Sequence, residues 1–252
     1  MSHDQASVNT SGGGVAVSFG KDMRKKHFLF DDGYINLNQG SCYPWLPEMQ
    51  RVLIGYPGSF GCYPRPVREA LRSFQDEGEA KPDRFIRYTY PDRLNEIRAT
   101  LAKILNAATD EIVIVPNASI AINTVLRNLS FSDGDKIVYL GPVYGAVKKT
   151  LQYLAESTPV QTVELDFMMP ISDDDLAQRF QAILREHGPS VKFAVFDTIV
   201  SMPGVKMPYE LLTRICRENG VLSLVDAAHG IGHIPLDIGS FQPDFLVTNC
   251  HK

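Results

Sequence analysis

Two ionisable residues in the second half of the chain stand near the ends of predicted strands. Asp226 directly follows the apolar run 221–225, and Lys252 comes four residues after the predicted strand 244–248. A carboxylate at such a position can pair with a cationic ring nitrogen, and a lysine amine can form a Schiff base with a carbonyl compound. Taken singly, Asp226 could instead form a turn and Lys252 could be an ordinary surface lysine. Their shared position after apolar runs makes them candidates for one site.

A third candidate is the segment Asn117, Ala118 and Ser119, which opens a helical pattern directly after Pro116. The first backbone N–H groups of a helix have no partner within the helix, and the positive end of the helix dipole attracts anions. The Ser119 hydroxyl suits a phosphate group. The alternative for this segment is a simple helix cap, because Asn and Ser are preferred cap residues.

Histidines and cysteines do not form a metal-binding pattern. His229 and His233 are four residues apart and could share a helix face, but they lack the adjacent glutamate and the third ligand of a zinc site. The four cysteines are scattered, with no pair at the spacing of a zinc knuckle: Cys42, Cys62, Cys216 and Cys250. The sequence therefore predicts no metal site, and it indicates reduced thiols in a cytoplasmic protein.

The elements that must position these residues alternate between strand and helix patterns. Strands are predicted at 112–115, 136–140, 160–165, 191–199, 221–226 and 244–248. Helices are predicted from about 94 to 105 and at 118–129, 144–156, 173–187 and 208–219. This alternation is typical of an α/β fold, with a mostly parallel sheet and helices on both faces. Ligands of such folds bind at the carboxyl ends of the strands, which is where the candidate residues stand.

Composition limits the partners of the chain. The sequence has 252 residues, 44% of them hydrophobic and 21% charged, with a formal net charge of -4. These values fit a soluble globular protein and exclude a disordered chain or a coiled coil. No apolar stretch is long enough for a membrane span, and the charge gives no reason to expect nucleic acid or an anionic membrane as partner. A small molecule is the expected ligand.

The order of the candidates resembles a known family. An Asn-Ala-Ser helix start, then Asp226 with His229, and then the pair His251 and Lys252 are similar to the fold-type I pyridoxal-phosphate enzymes of the class V aminotransferase group. This group includes cysteine desulfurases, kynureninase and isopenicillin N epimerase-like proteins. The resemblance covers about residues 28–252. It implies a three-layer α-β-α large domain and pyridoxal 5′-phosphate as the cofactor.

The resemblance also implies a role for each matching residue. Lys252 would form the Schiff base, Asp226 would keep the pyridine nitrogen protonated, and His229 would contact the phenolic oxygen of the cofactor. Tyr144 would stack on the ring, and Ser201 would lie near the phenolic oxygen. Residues at the helix start and after the last strand match phosphate contacts of the family: Ala118, Ser119, Asn249 and His251.

Domain boundaries follow from the same resemblance. We expect a flexible arm at 1–27, an N-terminal segment at 28–93 whose loop contacts substrate through Asn38 and Gln39, and the cofactor-binding large domain at 94–252. Residues 42–59 look like an insertion, because the pattern at 40–44 is nearly repeated at 58–64. Relatives continue after the lysine with a small domain that carries the substrate-carboxylate arginine, so we expect this chain to be part of a longer protein.

The segments 28–38 and 79–88 resemble the isopenicillin N epimerase-like branch, and within it the C-S lyases of ergothioneine biosynthesis. This resemblance implies β-elimination on a cysteine-conjugate sulfoxide such as hercynylcysteine sulfoxide, leading to ergothioneine with pyruvate and ammonia, in a homodimer. Alternatives are a cysteine desulfurase or selenocysteine lyase, and an epimerase. A non-enzymatic binding module is a further alternative, although it would be expected to lack Lys252 or Asp226.

Overall fold

A computed structural model describes residues 20–34 and 62–252. The predicted substrate residues Asn38 and Gln39 and the predicted insertion at 42–59 lie outside these residues, as does most of the predicted N-terminal arm. Within that arm, residues 21–27 form a short helix where the sequence suggested irregular structure.

Helices surround a single sheet in the described part of the chain. The α-helices are α1 (Lys21–His27), α2 (Arg65–Ala80), α3 (Pro82–Arg84), α4 (Tyr90–Leu105), α5 (Ala118–Arg127), α6 (Gly145–Ser157), α7 (Asp173–His187), α8 (Tyr209–Glu218) and α9 (Ile238–Phe241). A π-helical turn, Phe85–Thr89, joins α3 to α4. Two short 3-10 helices lie at Thr109–Glu111 and Gly188–Ser190. None of these helices is long and apolar enough to cross a membrane.

The sheet contains five parallel strands in the order β2-β1-β3-β4-β5. The strands are β1 (Lys136–Leu140), β2 (Gln161–Leu165), β3 (Val191–Asp197), β4 (Leu222–Ala227) and β5 (Phe245–Thr248). They agree with five of the six predicted strands, with ends that differ by at most two residues. The middle strands are buried on both faces, and this explains their continuous apolar sequence.

Strand order determines where the helices lie. The chain moves from β1 to β2 in one direction across the sheet, and from β2 through β3 and β4 to β5 in the other. Because such crossovers are right-handed, α6 covers one face and the helices after β2 cover the opposite face. Helix α5 packs beside α6, and α7 packs beside α8. The predicted three-layer α-β-α fold is confirmed. The reversal between β1 and β3 opens a crevice at the carboxyl ends of these strands.

The predicted strand at 112–115 is wrong. These residues are not part of the sheet, and no described residue pairs with them as a strand. Val113 is 78% exposed and Ile114 is 42% exposed. A short apolar run resembles a buried strand in sequence, but it joins a sheet only where a partner strand lies beside it. Here the backbone carbonyl of Ile112 instead accepts a 2.8 Å hydrogen bond from the Arg98 side chain. The segment instead connects the end of α4 to the start of α5.

Candidate active site

The crevice at the strand ends contains a cavity of about 280 Å³. All nine described residues that the sequence suggested for the cofactor site line this cavity: Ala118, Ser119, Tyr144, Ser201, Asp226, His229, Asn249, His251 and Lys252. They come from the start of α5 and from the segments after β1, β3, β4 and β5. Residues separated by more than 130 positions in sequence are therefore brought together by the strand order.

Asp226 is the second-to-last residue of strand β4 and is 4% exposed. Its Oδ1 atom accepts a hydrogen bond of 2.9 Å from the backbone N–H of Ala228. Burial raises the pKa of Asp226, while this hydrogen bond and the positive charge of Lys252 act in the opposite direction. The carboxylate is thus held in a fixed orientation, with a second oxygen that can accept a proton or a hydrogen bond from a ligand.

Lys252 lines the same cavity, four residues after the end of strand β5. Its Nζ atom is 6.0 Å from the centre of the Tyr144 ring, which is within the range of a cation–π contact. Burial lowers the pKa of Lys252, while the carboxylates of Asp226 and Asp197 oppose that shift. Lowering the pKa increases the fraction of neutral amine, and only the neutral amine can act as a nucleophile or a base.

His229 follows β4 in a tight turn, which a 2.7 Å hydrogen bond from the Gly230 N–H to the Ala227 carbonyl closes. Burial, the Lys252 charge and the nearby His233 lower the pKa of His229 to about 4. The imidazole is therefore neutral near pH 7 and can donate or accept a hydrogen bond. The rings of His229 and His233 are 6.3 Å apart. Among residues 20–34 and 62–252, no group of three or more potential ligands could hold a metal ion.

The start of helix α5 has the features of an anion site. The Asn117 side chain caps the helix by accepting a 2.9 Å hydrogen bond from the Ile120 N–H. Asn249 Oδ1 accepts a 3.2 Å bond from the Ala118 N–H, so Asn249 joins the end of β5 to α5. The Ser119 N–H and hydroxyl have no hydrogen-bond partner in the described part of the chain. Ser119 lines the cavity at the positive end of the helix dipole, so these two groups are available to bind a phosphate.

One ionisable residue of the cavity was not among the predicted site residues. Asp197 ends strand β3, is 3% exposed and lines the same cavity. Its Oδ2 atom is buried without a hydrogen-bond partner. A signal was present in the sequence, because Asp197 follows an apolar run in the same way as Asp226.

The donor set fits pyridoxal phosphate. The cavity has an anion site at the α5 start, an exposed aromatic face at Tyr144, a buried carboxylate at Asp226 and an amine at Lys252. A phosphorylated pyridine aldehyde needs these four groups, for its phosphate, its ring face, its ring nitrogen and its aldehyde carbon.

Comparison with known proteins agrees with this assignment. The model of the aminotransferase class-V family matches residues 63–252. The chain therefore belongs to the aminotransferase class-V family, as its motifs indicated.

Two relatives are informative about chemistry. The L-cysteine desulfhydrase-like protein lolT1 of Epichloe uncinata is 35% identical over 239 residues, which cover 94% of this chain and 48% of lolT1. The hercynylcysteine sulfoxide lyase of Schizosaccharomyces pombe is 27% identical over 234 residues, which cover 93% of this chain and 54% of that protein. The chain thus spans about half the length of the curated relatives that it matches.

A solved structure shares the fold. It is a variant of C-DES with glycine covalently linked to the PLP cofactor, and it matches with a TM-score of 0.69 at 19% identity. The match covers 86% of this chain and 56% of C-DES. The structural match supports the fold, and membership in the aminotransferase class-V family supports the prediction of pyridoxal 5′-phosphate.

Proposed function

We propose that this chain supplies the cofactor-binding part of a pyridoxal-phosphate-dependent C-S lyase that acts on a cysteine-derived amino acid by β-elimination. The observation that carries the proposal is the single cavity that brings together Lys252, Asp226 and Ser119. Relatives named as a desulfhydrase-like protein and as a sulfoxide lyase support C-S bond cleavage.

Each residue would have a distinct task. Bound pyridoxal phosphate supplies an electron sink that stabilises negative charge at the substrate Cα. Asp226 would hold the proton on the ring nitrogen. Lys252 would anchor the cofactor and, once displaced by the substrate amine, its Nζ atom would take the proton from Cα. Neutral His229 would hydrogen-bond the phenolic oxygen, together with Ser201 on the neighbouring loop. Ser119 and the α5 start would hold the phosphate.

The substrate that we propose is a cysteine-conjugate sulfoxide, with hercynylcysteine sulfoxide as the specific candidate. Its support is the resemblance of segments 28–38 and 79–88 to the C-S lyases of ergothioneine biosynthesis, and the relative from S. pombe. The exposed aromatic residues Tyr88 and Tyr90 offer faces for a quaternary ammonium group. Elimination from this substrate would break the C–S bond and release the imidazole fragment as a sulfenic acid, and hydrolysis of the remaining aminoacrylate would give pyruvate and ammonia.

A second candidate substrate is free L-cysteine. The observation in its favour is the higher identity to the desulfhydrase-like relative, 35% against 27% for the sulfoxide lyase. Elimination from L-cysteine would release sulfide with pyruvate and ammonia. A cysteine desulfurase would instead release alanine, and an epimerase would release no sulfur.

The test is a product assay on the purified full-length protein. We expect pyruvate from hercynylcysteine sulfoxide, at a kcat/KM at least about tenfold above that for L-cysteine. This ratio corresponds to a difference of about 1.4 kcal/mol in transition-state stabilisation between the two substrates. Lys252→Ala should lose pyruvate formation, and Lys103→Ala, on the exposed face of α4, should keep it. Preference for L-cysteine would support the second candidate, while release of alanine without pyruvate would contradict β-elimination.

We also propose a homodimer in the cytoplasm. The support for the dimer is the resemblance to a family that forms dimers, and the support for the compartment is the set of scattered cysteines. Of these, the buried Cys216 forms no disulfide. Light scattering of the full-length protein and imaging of a fluorescent fusion would test the two proposals.

A further inference from the structure

Two buried carboxyl groups lie side by side on neighbouring strands of the site. Asp197 and Asp226 are partners in the parallel register of β3 and β4. Residues paired in this way point to the same face of the sheet, and neighbouring strands lie about 4.8 Å apart. Both side chains line the cavity, and both are less than 5% exposed. The site therefore contains a second acid beside the one proposed to bind the ring nitrogen.

The surroundings of the two acids differ. Asp226 Oδ1 accepts a hydrogen bond from the Ala228 N–H, which stabilises its ionised form. Asp197 Oδ2 accepts no hydrogen bond from any described residue, although it is buried. Burying an ionised carboxylate oxygen without a hydrogen-bond donor costs free energy. A protonated carboxyl group carries no charge and can itself donate a hydrogen bond.

The charges around Asp197 also favour its protonated form. Burial raises the pKa of Asp197 well above its ordinary value, and the charge of Asp226 raises it further. Lys252 opposes this shift, but its single positive charge is shared between the two acids. The other ionisable or aromatic side chains that line the cavity are Tyr144, His229 and His251. Burial lowers the pKa of both histidines, so neither supplies a second positive charge near neutral pH.

We propose that Asp197 and Asp226 form an acid pair that holds one proton and one negative charge, with the proton on Asp197 and the charge on Asp226. Asp197 is then a positioning residue. As a neutral neighbour it leaves a single carboxylate for the ring nitrogen, and its O–H can donate to that carboxylate or to a ligand in the cavity. The functional consequence rests on the proposed role of Asp226, but the protonation of Asp197 does not.

Infrared difference spectroscopy detects a protonated carboxyl group directly through its carbonyl stretch. We would compare the purified full-length protein, freed of cofactor, with Asp197→Asn at neutral pH. The expected result is a protonated-carboxyl band in the wild type that Asp197→Asn lacks. Asp166→Asn is the matched control, because Asp166 directly follows strand β2 but is exposed and lies outside the cavity. This control should leave the band unchanged.

Cofactor affinity gives a second readout. If Asp197 is neutral, the neutral and isosteric Asp197→Asn should change the Kd for pyridoxal phosphate by less than about tenfold, or about 1.4 kcal/mol. Asp226→Asn should weaken binding by more than that. A loss in Asp197→Asn as large as in Asp226→Asn would show that Asp197 contributes a charge, and would overturn the proposal.

Other outcomes are equally decisive. Absence of the band from the wild type, or its persistence in Asp197→Asn, would overturn the proposal, since the proton would then be missing or on another group. Should Asp197→Asn fail to fold, Asp197→Glu keeps the acid and should shift the band without removing it. An unshifted band in Asp197→Glu would contradict the assignment. A band that behaves as expected in a protein without C-S lyase activity would leave this inference standing while the proposed function fails.

Discussion

Strand β3 and helix α2 differ in how much of their length is buried. Every residue of β3 except Lys192 is buried, whereas none of the 16 residues of α2 is. Helix α4 resembles α2 over most of its length and is buried only at Ala102 and Leu105. The candidate active site is built on the ends of the buried strands and on the start of α5, not on these helices. Close packing fixes the strand ends, so groups attached to them keep their relative positions.

The largest expected effect on stability is that of a substitution in the buried sheet. Phe196 is fully buried in β3, next to Asp197, and its ring meets that of Phe180 edge-on at 6.2 Å. Phe196→Ala should lower the free energy of unfolding by about 3–5 kcal/mol, because it leaves a cavity in the packed core. Urea unfolding followed by circular dichroism measures the loss. A loss below about 1 kcal/mol would mean that the core does not hold β3 in the way described.

A smaller effect is expected at the helix start that forms the anion site. Asn117→Ala removes the cap of α5 and should cost about 1 kcal/mol of stability. It should also weaken binding of pyridoxal phosphate, because the N–H groups of the first turn lose their fixed orientation. Titration of the cofactor by fluorescence checks this.

Ser172→Ala is the matched control for the helix cap. Ser172 caps α7 with a 3.1 Å hydrogen bond from the Asp175 N–H, and it does not line the cavity. It should lose similar stability and keep cofactor affinity. Equal losses of affinity in the two variants would contradict a specific role for the α5 start.

The smallest effect is expected in the helices before the sheet. Ile104 in α4 is 58% exposed, and Ile104→Ala should change the free energy of unfolding by no more than about 0.5 kcal/mol. Its neighbour Leu105 is 4% exposed and is the matched comparison, with an expected loss of about 2–5 kcal/mol. Equal losses of unfolding free energy in Ile104→Ala and Leu105→Ala would show that another part of the full-length protein covers Ile104.

Local pattern was enough to predict most of the sheet. Strand β1 and helix α7 have the predicted boundaries, because an apolar run between turns and a helical stripe after Ser172 each identify one structure. The run at 112–115 was misassigned, since sequence does not reveal whether a partner strand exists. Strand pairing is a long-range property, which a local pattern does not reveal.

The candidate site was predicted through the order of its residues along the chain. Asp226 and Lys252 were identified from their positions after apolar runs and from the family resemblance, and the structure brings them to one cavity. The proximity of Asp197 to Asp226 depends on the register between β3 and β4, which no local pattern encodes. The pKa shifts in the cavity likewise arise from burial and from neighbours that are distant in sequence.

The most direct test of the central claim is the absorption spectrum of the purified full-length protein, recorded before and after Lys252→Ala. If Lys252 binds pyridoxal phosphate, the wild type should show a visible band, and borohydride should remove the band and fix the cofactor covalently to the protein. Lys103→Ala should behave in the same way, whereas borohydride should fix no cofactor to Lys252→Ala. A wild-type protein that stays colourless with added pyridoxal phosphate, or a Lys252→Ala variant to which borohydride fixes the cofactor as it does to the wild type, would contradict the assignment of this cavity.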